Sequence, residues 1–171
     1  MTAIVGIVSG GKTWMGADSC ISDNNIRQST KTPKLWRAGG YLVGAAGIGG
    51  WFAVLRRLRW PSVPSEGYML AGFVADLLGT ADQLGVELPA GKESSSDGSA
   101  LVGGAGRLWY IDSDLSVDEF SETACGAGGE AARCVLSACP SGSPSSRITK
   151  ALNAVAAVRW DVAGPFHLES V

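Results

Sequence analysis

The chain has 171 residues, of which 46% are hydrophobic and 18% charged. That composition excludes a disordered chain and suits a single domain over residues 1–171, able to bury roughly 70% of the surface its unfolded form exposes. A formal net charge of −2 gives no basic footprint for nucleic acid, and no apolar run approaches the ~18 residues needed to span a membrane.

Residues 2–8 are apolar and β-branched, Ser9-Gly10-Gly11-Lys12 is a turn, and residues 13–17 resume the strand pattern. This predicts a β-hairpin that begins almost at the first residue. A polar stretch, 18–34, follows. Gly39-Gly40 and residues 41–43 predict a turn and a further strand, and the Gly-rich segment 44–50 leads into a helix. Trp51, Val54, Leu55 and Leu58 recur there at i, i+3, i+4 and i+7. Trp60-Pro61 ends that helix, and the basic run Arg56-Arg57-Leu58-Arg59 reads as its solvated face.

A second helix runs over 65–84, from an N-cap at Ser65 to a stop at Gly85. Residues 89–98 read as a surface loop. Two or three strands follow over 100–103, 108–111 and 117–123, with turns at 104–106 and 112–114. Gly128-Gly129 opens a third helix closed by Pro140, Ser145 caps a fourth over 147–158, and a short strand covers 166–171. The order is strands, two helices, strands, two helices, strand. Two stacked sheets, each covered by a helix pair, accommodate it, although pattern alone leaves other α+β layerings open.

Cys20, Cys125, Cys134 and Cys139 form no CxxC pair and the chain has one histidine, His167, so no metal site or cofactor is expected. The N-terminus shows no signal-peptide pattern. Reduced thiols and a cytoplasmic location are the matching expectations.

Thr2 offers chemistry of another kind. Once Met1 is removed, an N-terminal threonine supplies both a hydroxyl nucleophile and an α-amine base of pKa about 7.7–8.0. Asp18 closes the opening hairpin and should return to the neighbourhood of Thr2. Lys34 lies sixteen residues beyond Asp18. A lysine beside the hydroxyl would lower its pKa, and a carboxylate would hold that lysine charged.

Thr2 with its Ile-Val strand, Gly16-Ala17-Asp18, Lys34-Leu35 and Gly44-Ala45-Ala46-Gly47 before Gly49-Gly50 resemble the corresponding motifs of proteasome β subunits and the HslV peptidase. So does Ala124-Cys125-Gly126-Ala127-Gly128-Gly129 at a helix start. The resemblance covers essentially the whole chain and implies the four-layer αββα sandwich of the N-terminal-nucleophile hydrolases. It implies Thr2 as nucleophile and base, Lys34 as its tuner, and Asp18 as the partner of Lys34. The N–H of Gly47, with Gly49 as the alternative, would be the oxyanion donor. The late Asp of the family falls on Asp161, although the Ser that follows it is missing, and the family's Gly-Ser-Gly serine is Ala127 here.

The activity so implied is threonine-type cleavage of peptides or unfolded protein, within a homo-oligomeric ring or double ring. The apolar residues of 68–78 wrap beyond one helix face, which calls for a covering subunit. No Gly-x-x-x-x-Gly-Lys-Ser/Thr motif is present, so an ATP-dependent unfoldase would be a separate partner. A catalytically silent structural subunit, for example of a phage particle, is the alternative that Ala127 and the compact length suit. An amidase for small molecules is a third, set back by the Asp18 and Lys34 spacing.

Overall fold

In the computed structural model, residues 1–23, 26–47, 49–88 and 98–171 are described. Strands β1 (Ile4–Ser9) and β2 (Lys12–Ala17) form the opening hairpin, with Ile4 opposite Ala17 and Ser9 opposite Lys12. Gly10 and Gly11 turn it at φ values of 60° and 72°. Two positive φ values in succession match the strand twist in a two-residue turn, and glycine takes them without strain.

β10 (Glu122–Cys125) pairs with the free side of β1 and β11 (His167–Ser170) with the free side of β2. The resulting sheet has the order β10-β1-β2-β11. A second antiparallel sheet is built from β5 (Leu35–Ala38), β6 (Tyr41–Gly47), β7 (Gly98–Gly104), β8 (Arg107–Ile111) and β9 (Val117–Glu119), in chain order. The helices are α1 (Gly49–Arg57), α2 (Phe73–Leu84), α3 (Gly129–Ala138) and α4 (Pro144–Val158).

Alternation along the strands assigns the layers. Ala3, Val5 and Ile7 belong to one apolar cluster with Ala132, Leu136, Ile148, Leu152 and Val155 of α3 and α4. Tyr41, Val43 and Ala45 join Trp51, Leu55, Phe73 and Leu77 of α1 and α2. The intervening residues Ile4, Leu42 and Ala46 point the other way, into a third cluster with Met15, Leu35, Leu101 and Leu108. Three apolar interfaces separate four layers, so the fold is an αββα sandwich. Among the described residues no helix is long and apolar enough to cross a membrane.

Several boundaries differ from the sequence expectation for local reasons. The polar stretch 18–34 contains β3 (Cys20–Asp23) and β4 (Ile26–Ser29), a separate two-stranded ribbon. β4 is exposed along its whole length, so no alternation of apolar residues marks it. Segment 117–123 divides between β9 in one sheet and β10 in the other. The cap of α4 is Ser143, not Ser145: its Oγ accepts from Ser146 N at 3.3 Å, and Pro144 takes the first helical position. Ser65 does accept from Tyr68 N, at 3.2 Å, but the turn that follows, Tyr68–Gly72, is π-helical and leads into α2. Residues 89–97 of the expected loop lie outside the described residues, and Gly98 already belongs to β7.

The glycine-rich segment also differs, because Gly44–Gly47 continues β6 before α1 starts. Gly44 faces the opposite sheet, where a Cβ would sit 2.6 Å from Ile4 Cγ2 and 3.1 Å from Met15 Cε. Gly44→Ala should therefore lower stability by about 1–3 kcal/mol, as overpacking of a tight core does. Gly79→Ala in α2, where a Cβ meets nothing within 4 Å, should be neutral or stabilising. Urea denaturation checks this, and an unchanged midpoint for Gly44→Ala would mean that the sheets can separate to admit a methyl group.

Candidate active site

The hairpin register that pairs Ile4 with Ala17 sets Asp18 opposite Ala3, and Asp18 N donates to Ala3 O at 3.2 Å. The Asp18 carboxylate turns back over the same backbone. Its Oδ1 accepts from Ala3 N at 2.9 Å and its Oδ2 from Cys20 N at 3.0 Å. On the other sheet, the Leu35–Gly44 pairing of β5 with β6 is extended by Ala45 N donating to Lys34 O at 3.0 Å. This anchors the Lys34 backbone while its side chain crosses to the first sheet.

Lys34 Nζ donates to Asp18 Oδ1 at 3.0 Å and Oδ2 at 3.1 Å, to Cys20 O at 2.5 Å and to Met1 O at 2.7 Å. None of these acceptors is the Thr2 hydroxyl. Lys34 is 6% exposed, Asp18 1% and Thr2 5%. Burial pushes the Lys34 ammonium below the ordinary lysine value, and the Asp18 charge and hydrogen bond oppose that shift without cancelling it.

Thr2 is held from the side of α3. Gly128 N donates to Thr2 O at 3.1 Å, and Gly126, at φ 81°, comes so close that a Cβ would lie 2.5 Å from the same oxygen. Thr2, Lys34 and Gly47 line one cleft of about 610 Å³. Gly49 lines it too, so the cleft wall does not choose between the two glycines as donor. Met1 lies in the same cleft, with its N-terminal ammonium donating to Ser22 Oγ at 3.2 Å.

Asp161 is buried close by but engaged elsewhere. Arg159 grips it with two bonds, Nε to Oδ1 at 2.9 Å and Nη2 to Oδ2 at 2.7 Å. Burial opposes its ionisation, and the Arg159 guanidinium outweighs burial, holding the carboxyl below its usual range. Its charge is nonetheless felt at Lys34, where it favours the ammonium form. Ala127 is exposed and lines a second cavity of about 310 Å³, together with Ser99 and Tyr110, rather than the cleft of Thr2. His167 is half-buried on β11 and pairs with Glu169 at 3.2 Å. Among the described residues no cluster of His, Cys, Asp and Glu could hold a metal ion.

No family model matches the sequence, and no curated protein matches it. Solved structures do. Thiobacillus denitrificans BPH superposes with a TM-score of 0.82 at 19% identity, over 99% of this chain and 97% of that one. The same protein in complex with epoxomicin gives 0.82 and 19%, over 99% and 98%. Eukaryotic HslV from Trypanosoma brucei gives 0.70 at 18% identity, over 99% and 98%. The fold is proteasome- and HslV-like.

Within this proteasome-like fold, the sequence reading missed the main-chain oxygens of Cys20 and Met1 that complete the shell around Lys34. Carbonyls carry no side-chain signature, so only a β3 strand recognised after Asp18 would have revealed Cys20. Arg56 also lines the cleft, whereas the sequence marks it only as part of a solvated helix face.

The buried pair generates a stability prediction. Lys34→Met strands the Asp18 carboxylate among uncharged groups and should cost about 3–5 kcal/mol. Adding Asp18→Asn should recover part of that loss, because the amide oxygen still accepts a backbone N–H without carrying charge. Strict additivity of the two single losses in denaturant unfolding would contradict direct coupling.

Proposed function

We propose that the chain is a threonine-type peptidase that acts after removal of Met1, cleaving peptides or unfolded protein within a homo-oligomer. The observation that carries this reading is the 2.7 Å bond from buried Lys34 Nζ to the carbonyl of Met1, the group that acylates the Thr2 nitrogen. Hydrolysis of that one peptide bond does two things. It frees the Thr2 α-amine, and it takes away one acceptor of Lys34, leaving an N–H for the Thr2 hydroxyl.

The reaction then runs in two halves. The Thr2 hydroxyl proton passes to the α-amine as Oγ bonds to the scissile carbonyl carbon, and the carbonyl oxygen takes the displaced electron pair. Lys34, kept in place by Asp18, stabilises Oγ as it loses its proton. The N–H of Gly47 meets the oxyanion, a contact worth ~10²–10³ in rate in enzymes where one such donor has been removed. Collapse breaks the C–N bond, and the leaving amine takes the proton from the α-ammonium. The Thr2 ester that remains is hydrolysed by water, with the α-amine again as base. Asp161 favours the Lys34 ammonium through its field.

The fold likeness supports the reading; the T. denitrificans protein forms a complex with epoxomicin, and binding of epoxomicin in the Thr2 cleft is what the reading expects of this chain. Assembly into a ring or double ring is supported by the outer face of the second helix region. Leu70 and Leu78 are 58% and 44% exposed there, while Met69, Phe73 and Leu77 are buried. An ATP-dependent unfoldase, if engaged, would be a separate chain. The silent-subunit reading draws on Ala127, since a hydroxyl is missing at that position.

Thr2→Ala, prepared without Met1, should lose at least about a thousandfold in fluorogenic-peptide turnover with an unchanged circular dichroism spectrum. Lys34→Ala should lose roughly a hundredfold or more. Light scattering should give a particle several times the 17.6 kDa chain. Full turnover by Thr2→Ala would remove Thr2 from the mechanism, and a stable monomer at micromolar concentration would remove the assembly.

A further inference from the structure

The geometry points to Arg56 as the docking group for an acidic side chain of the substrate, so that the residue on the acyl side of the scissile bond is preferentially glutamate or aspartate. The inference deepens the peptidase reading and takes from it the direction in which a peptide lies. Arg56 and Thr2 line the same cleft of about 610 Å³, ample for a side chain of that size. Apart from Lys34, whose ammonium is engaged by Asp18, the rest of its wall is apolar, hydroxyl-bearing or glycine, with Ile21, Phe52, Thr30 and Thr32 among its members, and none of the described residues lining it is a carboxylate.

Arg56 is a cation without a partner among the described residues. Arg37, Arg107, Arg147 and Arg159 each face a carboxylate within salt-bridge distance. Arg56 instead donates from Nη2 to Pro33 O and lies 4.2 Å over the Trp36 ring. These two contacts fix the guanidinium plane and leave further N–H donors unused, the state in which an arginine loses little freedom on gripping a carboxylate. Desolvation lowers its pKa, and no acid among the described residues offsets that shift. A substrate carboxylate would supply the missing charge at this exposed guanidinium, with two parallel bonds available. A lysine or arginine side chain entering the same cleft would meet a like charge.

Binding and cleavage can be measured apart. N-acetyl tripeptide amides ending in Glu, Leu or Lys are titrated calorimetrically into Met1-free Thr2→Ala protein, and the matching coumarin amides are assayed with the Met1-free protein. Glu should exceed Lys by roughly tenfold in both affinity and kcat/KM. Arg56→Met, which keeps an unbranched chain against Trp36, should abolish the preference, and Arg56→Glu should reverse it. Equal binding of Glu and Lys peptides, a Glu preference that survives Arg56→Met, or no Glu-peptide binding at about 1 mM would overturn the inference. Charge-selective binding through Arg56 with no cleavage would sustain it while rejecting the peptidase reading. Cleavage with no charge preference would do the reverse.

Discussion

An ammonium taken out of water loses its hydration at a cost of several kcal/mol unless oxygens replace the lost waters. Lys34 is met by two carboxylate oxygens and two main-chain carbonyls, drawn from the end of the hairpin, the start of the ribbon and the chain's first residue. Each acceptor depends on an element being in register. A shift of one residue in β1–β2 would turn Asp18 to the other face of the sheet. The ion pair is thus the point at which two sheets, a ribbon and the N-terminus have to agree. It also sets a positive charge within one residue of the nucleophile that the proposed chemistry requires.

The layered core makes that agreement possible. Ala17, Leu35 and Ala46 lie in the apolar cluster between the sheets, and each is the chain neighbour of a site residue: Asp18, Lys34 and Gly47. Packing of the inter-sheet layer therefore positions the polar groups at its margin, where both strands and cleft are within reach. Side chains as small as hydrogen at Gly44, and at Gly6, where a Cβ would lie 2.8 Å from Leu108, allow the sheets to come close enough for one lysine to span them.

Much of this is legible in the amino-acid sequence, and the limits have physical causes. The hairpin carries both an apolar run and a two-glycine turn, so its register, and with it the return of Asp18 to Thr2, follows directly. The helix over Trp51 and Leu55 shows its period plainly. The ribbon β3–β4 escapes because it buries little and alternates in nothing. The crossing from β9 to β10 escapes because a change of sheet leaves no mark on strand propensity. At the site, side-chain acids and bases can be found by spacing, whereas carbonyl acceptors cannot. Arg56 looks like any exposed arginine until Trp36, 20 residues earlier in the chain and on β5, is seen beneath it.

The proposed chemistry makes Thr2 Oγ the atom that bonds to substrate, and trapping that bond tests the claim most directly. Met1-free protein is mixed with an N-acetyl peptide ester, quenched in acid during turnover, digested, and its N-terminal fragment weighed. An added mass equal to the acyl portion of the peptide, located on Thr2 and absent from Thr2→Ala, is the predicted result. Continued turnover with an unmodified N-terminal fragment, or the acyl group found on Cys20 instead, would contradict it.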